Sequence, residues 1–85
     1  MKITDIKIRK ITDNEKMKAV CSVTFDDELV VHDIKVIEND GRTFIAMPSK
    51  RFKEGSFSDI VHPISQTVRT YLEKEILAVY SEQIR

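Results

Sequence analysis

The sequence has little of what marks several large classes of protein. Its 85 residues include a single cysteine, which excludes an intrachain disulfide and a cysteine-rich zinc module. No apolar run approaches the ~18–20 residues that a membrane-spanning helix requires. The N-terminal residues also lack the apolar segment of a secretory signal. We therefore expect a cytoplasmic protein with no membrane insertion.

The sequence is also poor in the groups that catalysis or cofactor binding requires. It contains no glycine-rich motif that could cradle a phosphate or a dinucleotide. Cys21 falls on the apolar side of a predicted strand, which indicates a buried, unreactive thiol. His32 and His62 have no partners at metal-ligand spacing, and Pro63 favours a positioning role for the histidine before it. We expect neither an enzyme nor a bound cofactor or metal.

Positive and negative charges cancel overall but are separated along the chain. The formal net charge is 0. Residues 1–18 carry six basic and three acidic side chains, residues 19–40 carry one and six, and residues 41–69 carry five and two. Binding of a polyanion requires local positive charge rather than a high overall pI, so this function stays open.

The first half of the chain has the alternation that is typical of half-buried strands. Residues 6–9 alternate isoleucine with a basic residue, and the odd positions of residues 17–25 are all apolar. Residues 13–15 between them are polar and predict a turn. A third strand over residues 29–37 is apolar on both faces, which suggests a second cover and hence a partner subunit.

The rest of the chain predicts one more strand, a long loop and one helix. An Asn-Asp-Gly sequence that ends at Gly41 favours a hairpin turn, and a fourth strand follows over residues 43–47. Two prolines and a glycine then interrupt residues 48–64, which predicts a loop. Ser65 is a suitable N-cap, and an apolar stripe at helical spacing runs to about residue 81.

Together these patterns predict an α+β fold in a single domain over residues 1–85. Strands over about residues 2–47 form a mostly antiparallel sheet of four or more strands. A basic loop over residues 48–64 and an amphipathic helix over about residues 65–81 follow. A chain of this size buries only about 60–65% of its unfolded surface, so a homodimer would add to a modest core.

The predicted loop carries the feature that most suggests a function. It combines three cations for phosphates, a hydroxyl group that can donate a hydrogen bond and a ring that can stack on an unpaired base. These residues are Lys50, Arg51, Lys53, Ser49 and Phe52. The alternative is a solvated loop whose charges keep the protein soluble. In a dimer, two such loops would roughly double the phosphate contacts.

Two segments are specific enough to resemble a known family. Residues 31–37 read Val-His-Asp-Ile-Lys-Val-Ile, and residues 44–51 read Phe-Ile-Ala-Met-Pro-Ser-Lys-Arg. Residues 62–64, His-Pro-Ile, follow in order. Together they resemble the stage V sporulation protein G family (SpoVG, also called septation protein), and the resemblance extends over about residues 1–80.

The resemblance implies a small bacterial homodimer that is linked to sporulation and the control of asymmetric septation and acts as a regulator that binds DNA and possibly RNA. Lys50 and Arg51 match the family's signature and are the implied nucleic-acid contacts. Arg69, in the first turns of the predicted helix, is a further candidate.

Two functions are open at this level. In the first, a dimeric regulator binds nucleic acid through the basic loop. In the second, the protein contacts division or sporulation proteins through a sheet edge or the acidic turn at residues 26–28, without binding nucleic acid. Each phosphate contact lowers affinity by about 0.9 log units per log unit of salt, whereas an apolar interface responds little. Salt dependence therefore separates the two.

Overall fold

The computed structural model describes residues 1–12 and 15–84, and within them it contains six strands and one helix. In chain order these are β1 (Ile3–Ile11), β2 (Met17–Phe25), β3 (Leu29–Asn39), β4 (Arg42–Ala46), β5 (Ser49–Arg51), β6 (Phe57–Asp59) and α1 (Gln66–Gln83). β1 to β4 form one antiparallel sheet in chain order, and β5 pairs with β6. The predicted α+β fold is confirmed. The turn predicted at residues 13–15 lies mostly outside the described residues.

Two tight turns connect the central strands of the sheet. Asp26 and Asp27 between β2 and β3, and Asp40 and Gly41 between β3 and β4, have φ angles between 53° and 77°. Positive φ at both central residues of a turn matches the right-handed twist of the strands it joins, in the three-residue connection 26–28 as in the two-residue connection 40–41. The sequence predicted the second of these hairpins from its glycine.

One face of the sheet packs against α1 and forms the core. The largest fully buried side chains come from β2, β3 and α1: Ile34, Leu72, Ile76, Val23, Val36 and Cys21. The predicted apolar side of β2 is confirmed, since its odd positions from Ala19 to Phe25 are buried; Ser22 is the one even position of the strand that is buried as well. Ser65 begins the helix as predicted, because its Oγ accepts a hydrogen bond from the backbone N–H of Val68 at 3.1 Å.

A bulge in β3 changes how its apolar residues are interpreted. Val31 and Ile34 are three residues apart, but they pair with residues of β2 that are only two apart. The extra residue forms a β-bulge at His32 and Asp33, and Asp33 adopts a φ of 62°. Val31 and Ile34 therefore both lie on the helix-facing side and are buried. The apolar residues at odd and even positions of β3 thus do not require that a partner subunit covers a second face of this strand, as we had expected.

Candidate nucleic-acid interface

The predicted basic loop contains a short β-hairpin that the residue pattern did not reveal. β5 and β6 are three residues each and pair in antiparallel register. In the connecting turn, the N–H of Phe52 donates to the carbonyl of Ser56, and the N–H of Gly55 donates to the carbonyl of Phe52, both at 2.9 Å. Gly55 has a φ of 92°, a conformation that favours glycine. The glycine therefore lets the chain reverse between the two strands.

The hairpin carries three of the predicted cations at its surface. Lys50 and Arg51 lie on β5 and Lys53 lies in the turn, and all three are exposed. Together with Glu54 they line one shallow depression, and the carboxylate of this glutamate accepts a hydrogen bond from Ser56 Oγ at 2.8 Å. Because adjacent strand residues project to opposite sides, the first two cations lie on different faces of the hairpin. The hairpin therefore presents positive charge on both faces.

Two exposed phenylalanines accompany these cations. The side chain of Phe52 is 44% exposed and that of Phe57 is 68% exposed. Phe57 pairs directly with Arg51, so the ring and the guanidinium group share one face of the hairpin. Sequence reasoning missed Phe57. A hairpin register centred on Glu54 would have pointed to it.

Two predicted residues lie away from this exposed tip. Ser49 is half-buried at the base of the hairpin, where it pairs with Asp59. Arg69 is half-buried in α1 and is not among the described residues that line the depression. The structure thus brings together four of the six predicted residues: Lys50, Arg51, Phe52 and Lys53.

The reactive side chains of the sequence lie elsewhere. Cys21 is fully buried, and this burial raises the pKa of its thiol from the ordinary value of 9.0 to about 11. His32 Nδ1 shares a hydrogen bond with Ser22 Oγ at 2.8 Å, and His62 Nδ1 donates to the carbonyl of Pro63 at 3.0 Å. Within residues 1–12 and 15–84, no three side chains of His, Cys, Asp or Glu form a cluster that could hold a metal ion. Over the same residues, no helix combines the length and the apolar character needed to cross a membrane.

A second exposed surface is apolar. Its apolar residues line a shallow groove at the start of β3, which we call the apolar groove and which His32 and Asp33 also line: Leu29, Val30, Val31, Pro48, Ile60 and Val61. Four of these side chains, those of Leu29, Val30, Ile60 and Val61, are between 39% and 69% exposed. Among the described strands, β4 pairs only with residues 35–39 of β3. Residues 29–34 of β3 therefore have no partner strand on that edge. An apolar groove beside a bare strand edge is typical of an interaction surface.

Comparison with known proteins identifies the family. The SpoVG family model matches residues 1–82. A protein of Caldanaerobacter subterraneus subsp. tengcongensis is 57% identical over 82 residues, which cover 96% of this chain and 90% of the relative. Proteins of Clostridium acetobutylicum and Clostridioides difficile are 56% and 52% identical, over 96% and 99% of this chain and 86% and 91% of their own. All three are named "Putative septation protein SpoVG". The resemblance seen in the motifs is confirmed: the chain belongs to the SpoVG family.

Proposed function

We propose that this chain is a homodimeric, cytoplasmic regulator that binds DNA or RNA and is linked to sporulation and asymmetric septation. The observation that carries the proposal is the exposed β5–β6 hairpin, which combines three cations with two phenylalanine rings. The link to septation follows from the names of the relatives.

The hairpin has the chemistry that a phosphate backbone requires. The guanidinium group of Arg51 can donate two parallel hydrogen bonds to one phosphate, whereas Lys50 and Lys53 act as point charges. The exposed rings of Phe52 and Phe57 suit stacking on unpaired bases. Phosphate contacts position a protein without reading sequence. The hairpin therefore provides affinity for nucleic acid in general.

Dimerisation is the second part of the proposal. A second copy that covers the apolar groove would remove apolar surface from water, at about 25 cal/mol for each Å² buried. It would also give the bare edge of β3 a partner, as in β-strand addition. Two hairpins in one particle would roughly double the phosphate contacts. In sedimentation experiments we expect a dimer for the wild type and a monomer for Ile60→Asp/Val61→Asp, and a monomeric wild type would contradict this part.

Fluorescence anisotropy tests the hairpin with labelled duplex DNA and single-stranded RNA. The variant Lys50→Ala/Arg51→Ala/Lys53→Ala is expected to bind about 100-fold more weakly, from about 1 kcal/mol for each lost contact. Its log–log salt slope should also be shallower by about 2–3, because each phosphate contact contributes about 0.7–0.9.

A matched variant separates the hairpin from total charge. Lys2→Ala/Lys16→Ala/Lys74→Ala removes three exposed lysines that lie outside the hairpin. It has the same net charge as the hairpin variant and should bind nearly as the wild type does. If the two variants lose affinity equally, the hairpin is not the site.

The alternative function is that of a protein-interaction factor of the division or sporulation machinery. It is favoured by the apolar groove and by the acidic turn, in which Asp26, Asp27 and Glu28 are all exposed. Under this alternative, the wild type binds neither polynucleotide at low salt. A partner captured by the wild type and lost in the Ile60→Asp/Val61→Asp variant would then support it.

A further inference from the structure

The four-stranded sheet has a second face, on the side away from α1. Residues paired directly across neighbouring strands project to the same side of a sheet. β2 buries Ala19, Cys21 and Val23 in the core, so Val20 and Ser22 between them project to the other side. We call the side that carries these last two residues the open face.

Basic side chains accumulate on the open face. Strand pairing places four basic residues on this face: Lys7, Lys10, Lys35 and Arg42. A hydrogen bond to Ser22 places Arg9 there as well. Lys10 and Lys35 flank Val20 in one row across three strands, so they emerge about 10 Å apart. Among the described strand residues, the register places one carboxylate, that of Asp5, on this face, and the bulged Asp33 lines the apolar groove. The open face is therefore strongly positive.

One of these cations is held in place by a buried serine. The Nε of Arg9 donates a hydrogen bond to Ser22 Oγ at 2.7 Å, and the same oxygen shares a hydrogen bond of 2.8 Å with Nδ1 of His32. Ser22 is only 4% exposed, so this anchor is fixed within the sheet. The two terminal amino groups of the guanidinium are not part of this bond and can donate to a phosphate. A cation that is already positioned loses little side-chain entropy on binding.

An apolar platform lies beside the cations. Phe44 pairs with Ile37 across β3 and β4, on the same side of β3 as Lys35. Both apolar side chains, and that of Val20, are half-buried and so partly accessible. A single strand presents its unpaired bases to such a platform, whereas a duplex keeps them stacked and paired. By analogy, other four-stranded sheets bind single-stranded RNA on a face that carries aromatic residues.

A second copy of this chain fits the open face poorly. Two open faces in contact would place like charges opposite each other, which is unfavourable. The surface that suits a second copy is the apolar groove, where four exposed apolar residues outnumber the one acidic side chain, that of Asp33. Charge complementarity therefore favours a polyanion on the open face.

We infer that the open face binds the backbone of single-stranded nucleic acid. Arg9 is the fixed phosphate contact, the lysines of neighbouring strands follow the backbone, and Phe44 stacks on a base. This inference rests on the proposed nucleic-acid-binding function and adds its substrate class, a single strand of RNA or DNA.

The test compares single-stranded RNA and DNA of about 16 nucleotides with a duplex of the same length. The variant Arg9→Gln/Lys10→Gln/Lys35→Gln keeps a side-chain donor that can reach Ser22 and removes three charges. It should bind both single strands about 30- to 100-fold more weakly and the duplex less than about threefold more weakly. Phe44→Leu leaves the charge unchanged and should weaken single-strand binding about tenfold. Coincident thermal melting curves will show that the variants fold.

The controls make failure of the inference distinguishable from failure of the proposed function. Lys2→Gln/Lys16→Gln/Lys74→Gln carries the same charge change outside both surfaces and should bind as the wild type does. If the hairpin variant loses binding and the open-face variant matches this control, the inference is overturned while the proposed function stands. If the wild type binds no polynucleotide at low salt, both fail. If the open-face variant lost affinity for the duplex and the single strands equally, the substrate class would be overturned. The same holds if poly-glutamate displaced the labelled strand as effectively as the unlabelled strand does.

Discussion

The four-stranded sheet and the β5–β6 hairpin are built in opposite ways. In the sheet, side chains such as Val23, Ile34 and Val36 are completely buried. In the hairpin, five of the six strand residues are exposed and the sixth, Ser49, is half-buried. The core therefore constrains the residues of the sheet by packing, whereas little in the fold constrains those of the hairpin. Cations and aromatic rings at such positions are available for binding, as is common on loops held by a rigid scaffold.

The largest expected effect compares two isoleucines, one in the helix that packs on the sheet and one just after the hairpin. Ile76 in α1 is 0% exposed, and Ile64, which follows the hairpin, is 96% exposed. Ile76→Ala should lower the free energy of unfolding by about 2–5 kcal/mol, because it leaves a cavity in the core. Ile64→Ala should change it by less than about 0.5 kcal/mol. Urea unfolding followed by circular dichroism measures both. Equal losses would contradict the division into a packed body, formed by the four-stranded sheet and α1, and an exposed hairpin.

The converse change should weaken the proposed nucleic-acid binding and leave stability intact. Lys50→Ala/Arg51→Ala/Lys53→Ala should reduce nucleic-acid affinity about 100-fold. Its free energy of unfolding should stay within about 0.5 kcal/mol of the wild type, since all three side chains are exposed. Anisotropy and urea unfolding on the same preparation measure the two quantities. A variant that loses stability and binding together would show that the hairpin is part of the packed body.

The pH dependence of stability should originate partly in the body. Burial raises the pKa of the Cys21 thiol from 9.0 to about 11, so the folded protein keeps a proton that the unfolded chain releases. This contribution is fully present below about pH 9 and is lost as the pH rises through about 11. At about pH 10 the partial loss of this contribution should lower the free energy of unfolding by about 1–2 kcal/mol.

Two variants identify the source of that fall. Cys21→Ala should show a smaller fall in stability between neutral pH and about pH 10, because it lacks the titrating thiol. The hairpin variant should show the same fall as the wild type. If Cys21→Ala retains the full fall, the buried thiol is not its cause.

The smallest expected effect lies in the turn of the hairpin. Gly55 has a φ of 92°, and a Cβ added there would meet nothing within 4 Å. Gly55→Ala therefore costs only backbone strain, about 1 kcal/mol, and this cost is confined to the hairpin. Nucleic-acid affinity should fall by up to about tenfold while urea unfolding of the body stays the same. Gly41→Ala, at the turn of the main sheet, is the contrasting variant and should instead lower global stability.

Sequence periodicity predicted the body because burial there has a simple period. The alternation along β2 and the stripe around Leu72 and Ile76 follow directly from one covered face on each element. The bulge at Asp33 escaped prediction because a single inserted residue shifts the alternation without leaving a signal of its own. The hairpin escaped for the same kind of reason, since three exposed residues in each strand have no period.

The charges show a similar limit. The sequence located the cations of the hairpin because they are adjacent in the chain. It could not place Lys10 beside Lys35, because only the pairing of both with Val20 brings β1 and β3 into one row. Nor could it pair Arg9 with Ser22, which are 13 residues apart. Contacts of this kind depend on strand register, which a single sequence does not state.

The most direct test of the central claim is an NMR titration of the labelled protein with an oligonucleotide at low salt. If the exposed hairpin is the nucleic-acid site, the backbone amides of residues 50–53 and of Phe57 should shift, while those of Leu72 and Ile76 in the core should not. The shifts should diminish as salt rises from about 50 mM to about 200 mM. Shifts confined to the apolar groove, or none at all at low salt, would contradict the account.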